Sequence, residues 1–345
     1  MVIPRPALIE CVSALRSHLV LRASVVCALG ATRSVAYDEA MRLLASLLWI
    51  FLTFSARGLQ AQTTLPLWPD LRTAEGATRQ ETDTTTSKDE LIAGKRVQRL
   101  TSVSHPTITV YPAAISNNTG TAIVVFPGGG YRILAYDLEG TEVCDWFHTV
   151  GVTCVLVKYR VPGGGPYPMH PEDLADAQRA VRMTRQHASE WNIDSHKVGV
   201  LGFSAGGHLA AALSNHPAEP VYAAQDPADQ LSARPDFALI IYPGLLVKTS
   251  DQLDLRSEVI PTAATPPTFL LQAENDPVHV ENTVAYFVAL KHAGVPAEMH
   301  VFAEGKHGYG LRHTQLPITD WPLLAATWLH TIGVVRGAPA GAATK

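Results

Sequence analysis

Ser204 stands between Gly202 and Gly206 in VGVLGFSAGGHLAAAL, where an apolar run gives way to an alanine-rich one. A serine in an ordinary loop needs no glycine two residues to either side, whereas one at the apex of a very tight strand-to-helix turn does. G-x-S-x-G in that setting exposes a hydroxyl as a nucleophile. The two glycines remove side chains that would strike the neighbouring strand and helix. The helix N-terminus then aims free amides and partial positive charge at an anion forming on Ser204. A nucleotide-binding turn fits poorly, because the order is G-F-S-A-G-G and no G-K-[ST] follows. A tight turn with an incidental serine stays open until partners are found.

Three further segments supply partners. VVFPGGGYR places Gly128, Gly129 and Gly130 directly after an apolar run, so bare backbone can approach a reacting group. The amides of Gly129, Gly130 and Ala205 are the candidate oxyanion donors, although a flexible turn or a phosphate cradle would use the same glycines. A serine hydroxyl needs an imidazole to take its proton. His307 in EGKHGYG follows a strand and lies between glycines, while His292 and His330 fall on helices, His300 in a strand, and His208 behind Ser204. The imidazole needs a carboxylate behind it. Asp276 ends PTFLLQAEND before Pro277, with Glu274 as its rival; Asp251 and Asp254 read as solvated. The order Ser, Asp, His agrees with one known arrangement of such groups.

The elements that must carry these residues are legible as alternating strands and helices. Strands are expected over 107–113, 121–130, 152–160, 197–203, 236–244, 267–276 and 297–305, several as continuous apolar runs. Helices are expected over 172–191 and 280–294, the first with Arg179, Arg182 and Arg185 mostly on its outer face. This alternation describes a doubly wound, mostly parallel sheet flanked by helices, an α/β fold. Too few residues separate IYPG from PPTFLLQ for a large helical lid.

The 345 residues, 47% hydrophobic and 17% charged, allow one large core, and a net charge of −4 gives no footprint for nucleic acid. Residues 1–40 read as a leader outside the true start, with translation expected from Met41. Residues 41–61 have an arginine, an apolar stretch and small residues, the three parts of a signal peptide. That stretch falls short of the about 20 residues of a membrane helix, so no stable span is expected after its removal. Residues 62–92 read as an extended arm, 93–335 as the catalytic domain and 336–345 as a frayed tail. Cys144 and Cys154 sit in apolar surroundings and are expected as two buried free thiols, with a disulfide as the alternative in an exported protein. No cysteine or histidine pattern points to a metal.

GFSAGGHLAA, FPGGGY, END-P and EGKHGYG together resemble the α/β-hydrolase superfamily. More narrowly, they resemble the secreted bacterial acetylxylan esterases and related feruloyl or acetyl esterases. The likeness extends to LPLWPD, VKYRVP and EDLADAQRAVR and spans roughly residues 64–333. It implies Ser204 as nucleophile, Asp276 as acid, His307 as base and Gly128–Tyr131 as the oxyanion loop, with no metal or organic cofactor. It implies hydrolysis of an acylated carbohydrate or small ester by a secreted or periplasmic protein. Many relatives have histidine before the glycines, where Pro127 stands here. Tyr131 and the loop 161–170 are expected to wall a substrate pocket, with plain packing as the other reading. A peptidase or a non-catalytic binding module of the same fold are the alternatives. The sequence specifies no oligomeric state.

Overall fold

The computed structural model describes residues 62–69, 80–249 and 253–336. The expected leader (1–40), the signal-like segment (41–61), Asp251 and the tail beyond Arg336 lie outside the described residues. Eleven strands are described, in chain order β1 (Thr63–Pro66), β2 (Thr82–Asp83), β3 (Arg99–Thr101), β4 (Thr107–Tyr111), β5 (Thr121–Phe126), β6 (Leu134–Ala135), β7 (Val152–Lys158), β8 (Val198–Phe203), β9 (Ala238–Ile241), β10 (Thr268–Ala273) and β11 (Ala297–Phe302). Five helices accompany them: α1 (Glu142–Thr149), α2 (Pro171–Gln186), α3 (Ala205–Asn215), α4 (Glu281–His292) and α5 (Trp321–Thr331).

Eight strands form one sheet in the order β1-β4-β7-β5-β8-β9-β10-β11. From β7 to β11 every neighbouring pair is parallel, while β4 is antiparallel to both β1 and β7. The continuous apolar runs are the parallel strands: every residue of β5, β8 and β10 is buried. Alternate residues feed two cores on opposite faces. Ala122, Val124 and Phe126 join α2 and α3 on one face, and Ile123 and Val125 join α1 and α5 on the other. The chain runs from β5 outward to β7, then crosses back over β5 to β8. The carboxyl ends of β5 and β8 therefore adjoin at the point where the winding reverses, which is where open sheets of this kind leave a crevice.

The segment expected as an extended arm takes part in both sheets. β1 pairs along β4 from Thr63↔Val110 to Pro66↔Thr107 and seals that edge. β2 pairs with β3 in a small sheet completed by β6. Leu67 is fully buried, and its carbonyl accepts a hydrogen bond from Arg179 Nε at 2.6 Å. Arg179 departs from its expected outer position on α2: it is 2% exposed and pairs with Asp226 and Asp229. Its long stem packs in the core while two carboxylates neutralise the buried head. The helical face is right in period, but the 227–230 turn covers what would be its solvent side.

Cys144 and Cys154 are not two free thiols but a disulfide, with Cα atoms 5.1 Å apart. Helix α1 packs on β7 in the same apolar core, which brings two separately buried sulfurs to bonding separation. Spacing alone could not show that α1 crosses its own following strand. The loop so closed is short, so replacing both cysteines by alanine should lower unfolding stability by about 2–3 kcal/mol. Denaturant unfolding of the double variant measures this. Alkylation without prior reduction should leave both sulfurs of the parent unmodified.

Candidate active site

Backbone geometry at Ser204 explains the two glycines. Ser204 has φ 53° and ψ −118°, a strained region for a residue with a side chain. Its N–H donates to the Ile241 carbonyl at 3.1 Å, and its own carbonyl accepts the amides of His208 and Gly244. A Cβ on Gly202 would lie 2.0 Å from the Gly206 oxygen, and one on Gly206 would lie 2.1 Å from the Phe126 oxygen. No side chain fits at either place, so the turn from β8 into α3 closes only with glycine on both flanks.

His307 and Asp276 reach this turn from the ends of two other strands. The Ser204 hydroxyl lies 2.8 Å from His307 Nε2, and Nδ1 lies 2.9 Å from Asp276 Oδ2. Nδ1–H donating to the carboxylate leaves Nε2 as the acceptor facing the hydroxyl. Asp276 is 4% exposed and also accepts from the Gln272 amide at 3.0 Å and the Val278 N–H at 2.7 Å. Those donors hold the carboxylate in one orientation. Asn275 Oδ1 accepts the N–H groups of Gly305 and Lys306, which fixes the start of the His307 loop. The rival Glu274 is exposed, as is Asp254; His208 is buried beneath the Gly128–Tyr131 loop.

The glycine loop approaches the same point from β5. A Cβ on Gly128 would lie 2.8 Å from Ser204 Cβ, and Gly129 has φ +136° with the Ile133 carbonyl against its Cα. Three groups fasten the loop. Tyr159 O–H donates to the Pro127 carbonyl at 2.7 Å, Gly128 N–H donates to Glu139 Oε2 at 2.7 Å, and the Tyr131 hydroxyl shares a 2.8 Å hydrogen bond with His208 Nδ1. With Gly128 engaged, the N–H groups of Gly129, Gly130 and Ala205 donate to no protein acceptor among the described residues. They are the amides around the Ser204 hydroxyl that remain free to donate.

Tyr131, expected to wall the substrate pocket, is 2% exposed and turned into the core against Tyr159 and His208. Its phenol supports the loop from beneath and offers no face to a ligand, because the ring is buried and its hydroxyl is engaged with His208. Loop 161–170 does lie beside it, since Gly163 N–H donates to the Tyr131 carbonyl at 2.9 Å.

Glu139 and Tyr242 carry no motif and escaped the sequence reading. Glu139 lies in a wide helical turn (Asp137–Thr141), is 3% exposed, and accepts the Tyr242 hydroxyl on Oε1 at 2.9 Å. Burial pushes its carboxyl upward, while His307, the Gly128 amide and the Tyr242 hydroxyl pull the other way. Tyr242 stands edge-on to the His307 ring with centroids 5.0 Å apart, and burial pushes its phenol well above the ordinary value. Asp137 and Glu142, close to Glu139 in the chain, are acids too, so nothing in the sequence marks Glu139 apart from them. Among the described residues, no group of three or more His, Cys, Asp or Glu side chains could hold a metal ion.

With the sheet, the glycine loop and the serine turn in place, the comparisons agree on the architecture. A family model described as an alpha/beta hydrolase fold matches residues 123–263. The chain has the α/β-hydrolase fold. The structure of an acetyl ester-xyloside bifunctional hydrolase from Caldicellulosiruptor lactoaceticus superimposes with TM-score 0.62 and 29% identity, covering 79% of this hydrolase-fold chain and 97% of that one. Thermogutta terrifontis esterase 2, solved phosphorylated by paraoxon, has TM-score 0.57 and 25% identity over 68% of this chain and 92% of its own. An acetylxylan esterase of Xylanibacter ruminicola is 30% identical over 223 residues, 56% of this chain and 42% of that protein. The chain thus spans less than half the length of that curated relative.

One buried acid near the site is unpaired. Asp173, in the first turn of α2, packs beneath Gly163, and its Oδ2 has no hydrogen-bond partner among the described residues. Burial first, then the charge of Asp176, pushes its carboxyl up to about 8, against the pull of Arg160. Folded protein thus keeps a proton that the unfolded chain releases, so stability falls as pH rises from about 4 to about 8. Asp173→Asn removes this slope. Melting curves at pH 5, 7 and 9 should show a variant-minus-parent difference that grows with pH and reaches about 4 °C by pH 9; a constant difference contradicts this.

Proposed function

We propose that this protein is a serine carboxylesterase that removes acyl groups, acetyl or feruloyl, from esterified plant-polysaccharide or sugar substrates. The observation that carries the proposal is the unbroken hydrogen-bonded chain from the Ser204 hydroxyl through His307 to Asp276, beside three amides with no protein acceptor among the described residues. In this reading Ser204 Oγ attacks the ester carbonyl while His307 Nε2 takes its proton. The carbonyl oxygen becomes an oxyanion held by Gly129, Gly130 and Ala205, each donor lowering the barrier by about 3–4 kcal/mol. The tetrahedral intermediate collapses, the C–O bond to the alcohol breaks, and His307 returns the proton to the leaving oxygen. Water, deprotonated by the same imidazole, then attacks the acyl-enzyme, and the acid departs as Ser204 is regenerated. Asp276 keeps its negative charge throughout and stabilises the imidazolium.

The choice of substrate draws on the printed names of the relatives, an acetylxylan esterase and an acetyl ester-xyloside hydrolase. It also draws on the short connection between β9 and β10, whose described residues include no helix beyond one turn at Ser257–Val259. An open mouth suits an acylated polymer. The signal-like segment at 41–61 favours work outside the cytoplasm, where such a polymer is met. No helix among the described residues is long and apolar enough to cross a membrane.

Ser204→Ala should lower kcat on a p-nitrophenyl acetate assay by about 10³-fold or more while the melting temperature changes little. A fluorophosphonate probe should label the parent and not the variant. Acetate release from acetylated xylan, with no amine released from a chromogenic dipeptide, is expected of the esterase. The reverse pattern would make it a peptidase, and an unlabelled parent would leave only a binding module.

A further inference from the structure

Two loops must hold their places for the reaction proposed above, and one buried carboxylate touches the supports of both. Glu139 Oε2 accepts the Gly128 amide, at the start of the loop that presents Gly129 and Gly130. Its Oε1 accepts the Tyr242 hydroxyl, and Tyr242 Oη in turn accepts the Gly310 N–H at 3.1 Å, three residues beyond His307. The Gly310 carbonyl is held by Trp321 Nε1 at 2.8 Å. Each carboxyl oxygen accepts one hydrogen bond, from the Gly128 N–H and the Tyr242 O–H, and both bonds favour the ionised form that burial opposes. No cation hydrogen-bonds to Glu139 among the described residues, and the closest basic influence on it is His307.

We propose that Glu139 is a positioning residue for acyl transfer, tying the oxyanion loop to the His307 loop and lending a second negative charge to the imidazolium. It rests on the esterase reading and adds to it a residue outside the Ser204–His307–Asp276 chain. The geometry excludes direct contact with substrate, because the carboxyl is sealed behind Gly128 and Tyr242. Other titratable groups that share its field are Asp137 on its own turn, Tyr159 on the strand end below, and Tyr242 and Tyr309 from the two flanking loops. The phenols are all pushed upward by burial and stay neutral, while Asp276, bonded to Nδ1, and Glu139 both act on His307.

Glu139→Gln keeps the shape and removes the charge. Hydrolysis of p-nitrophenyl acetate should show kcat about tenfold lower with KM within about twofold, since the loss falls on charge that develops in the transition state. The acid limb of kcat/KM should also move to lower pH by about half a unit, because an imidazolium loses an anionic neighbour. Glu139→Asp, charged but one methylene shorter, should return the limb to the parent position without restoring kcat. Tyr242→Phe keeps the carboxylate and cuts the link to Gly310; it should lower kcat and carries the test if Glu139→Gln does not fold. A Glu139→Gln limb that stays in place, a loss confined to KM, or a Tyr242→Phe enzyme at the parent rate would each overturn the proposal. Absence of Ser204-dependent hydrolysis in the parent would instead overturn the esterase reading, so the two failures are distinguishable.

Discussion

The close approach of the Gly206 Cα to the Phe126 carbonyl is the constraint on which the site depends. It lets α3 begin directly against the end of β5, so the glycine loop leaving β5 and the serine leaving β8 share one small space. The strained backbone of Ser204 persists because three hydrogen bonds, to Ile241, His208 and Gly244, hold it from both neighbouring segments. Strain of this kind, of order 1–3 kcal/mol, survives only where the surroundings over-determine it. Here the surroundings are fully buried strands, whose own pairing would have to shift for the turn to relax.

Support for the glycine loop comes from an unexpected direction. Pro127 supplies no side-chain donor where many resembling sequences have histidine. The loop is instead held through its backbone and by Tyr131, with Tyr159 taking the Pro127 carbonyl and Glu139 the Gly128 amide. One consequence is that loop position is encoded in residues from β7, α3 and the 137–141 turn rather than in the loop itself. Another is that the amide nearest the strand is spent on anchoring, which moves the free donors one residue onward to Gly129 and Gly130.

Much of this was legible in the sequence because it rests on local chemistry. The G-x-S-x-G turn requires its glycines within four residues of one another, and buried parallel strands advertise themselves as unbroken apolar runs. Asp276 and His307 were readable from their places at strand ends. What escaped depends on contacts distant in sequence. Tyr131 looks the same as a pocket wall or as a buried prop until His208 is known to lie under it. Glu139 gains meaning from the Gly128 amide together with Tyr242, 103 residues away. Arg179 has the right period for an outer face, and only the 227–230 turn and the Leu67 carbonyl make that face an interior. The pairing of Cys144 with Cys154 likewise follows from how α1 lies on β7, which no spacing rule contains.

The strand Thr63–Pro66 and the two residues after it have a bearing beyond their size. β1 covers the backbone of β4, Leu67 fills a core position, and Trp68 Nε1 donates to Asp176 at 2.7 Å, the same carboxylate that holds Arg160. Trimming the chain to the first long helix-and-strand alternation would therefore bare a row of unpaired peptide groups along β4 and open a hole beneath α2. Shortened versions made for study should keep residue 63 onward, so that β4 keeps its partner and the Leu67 position stays filled.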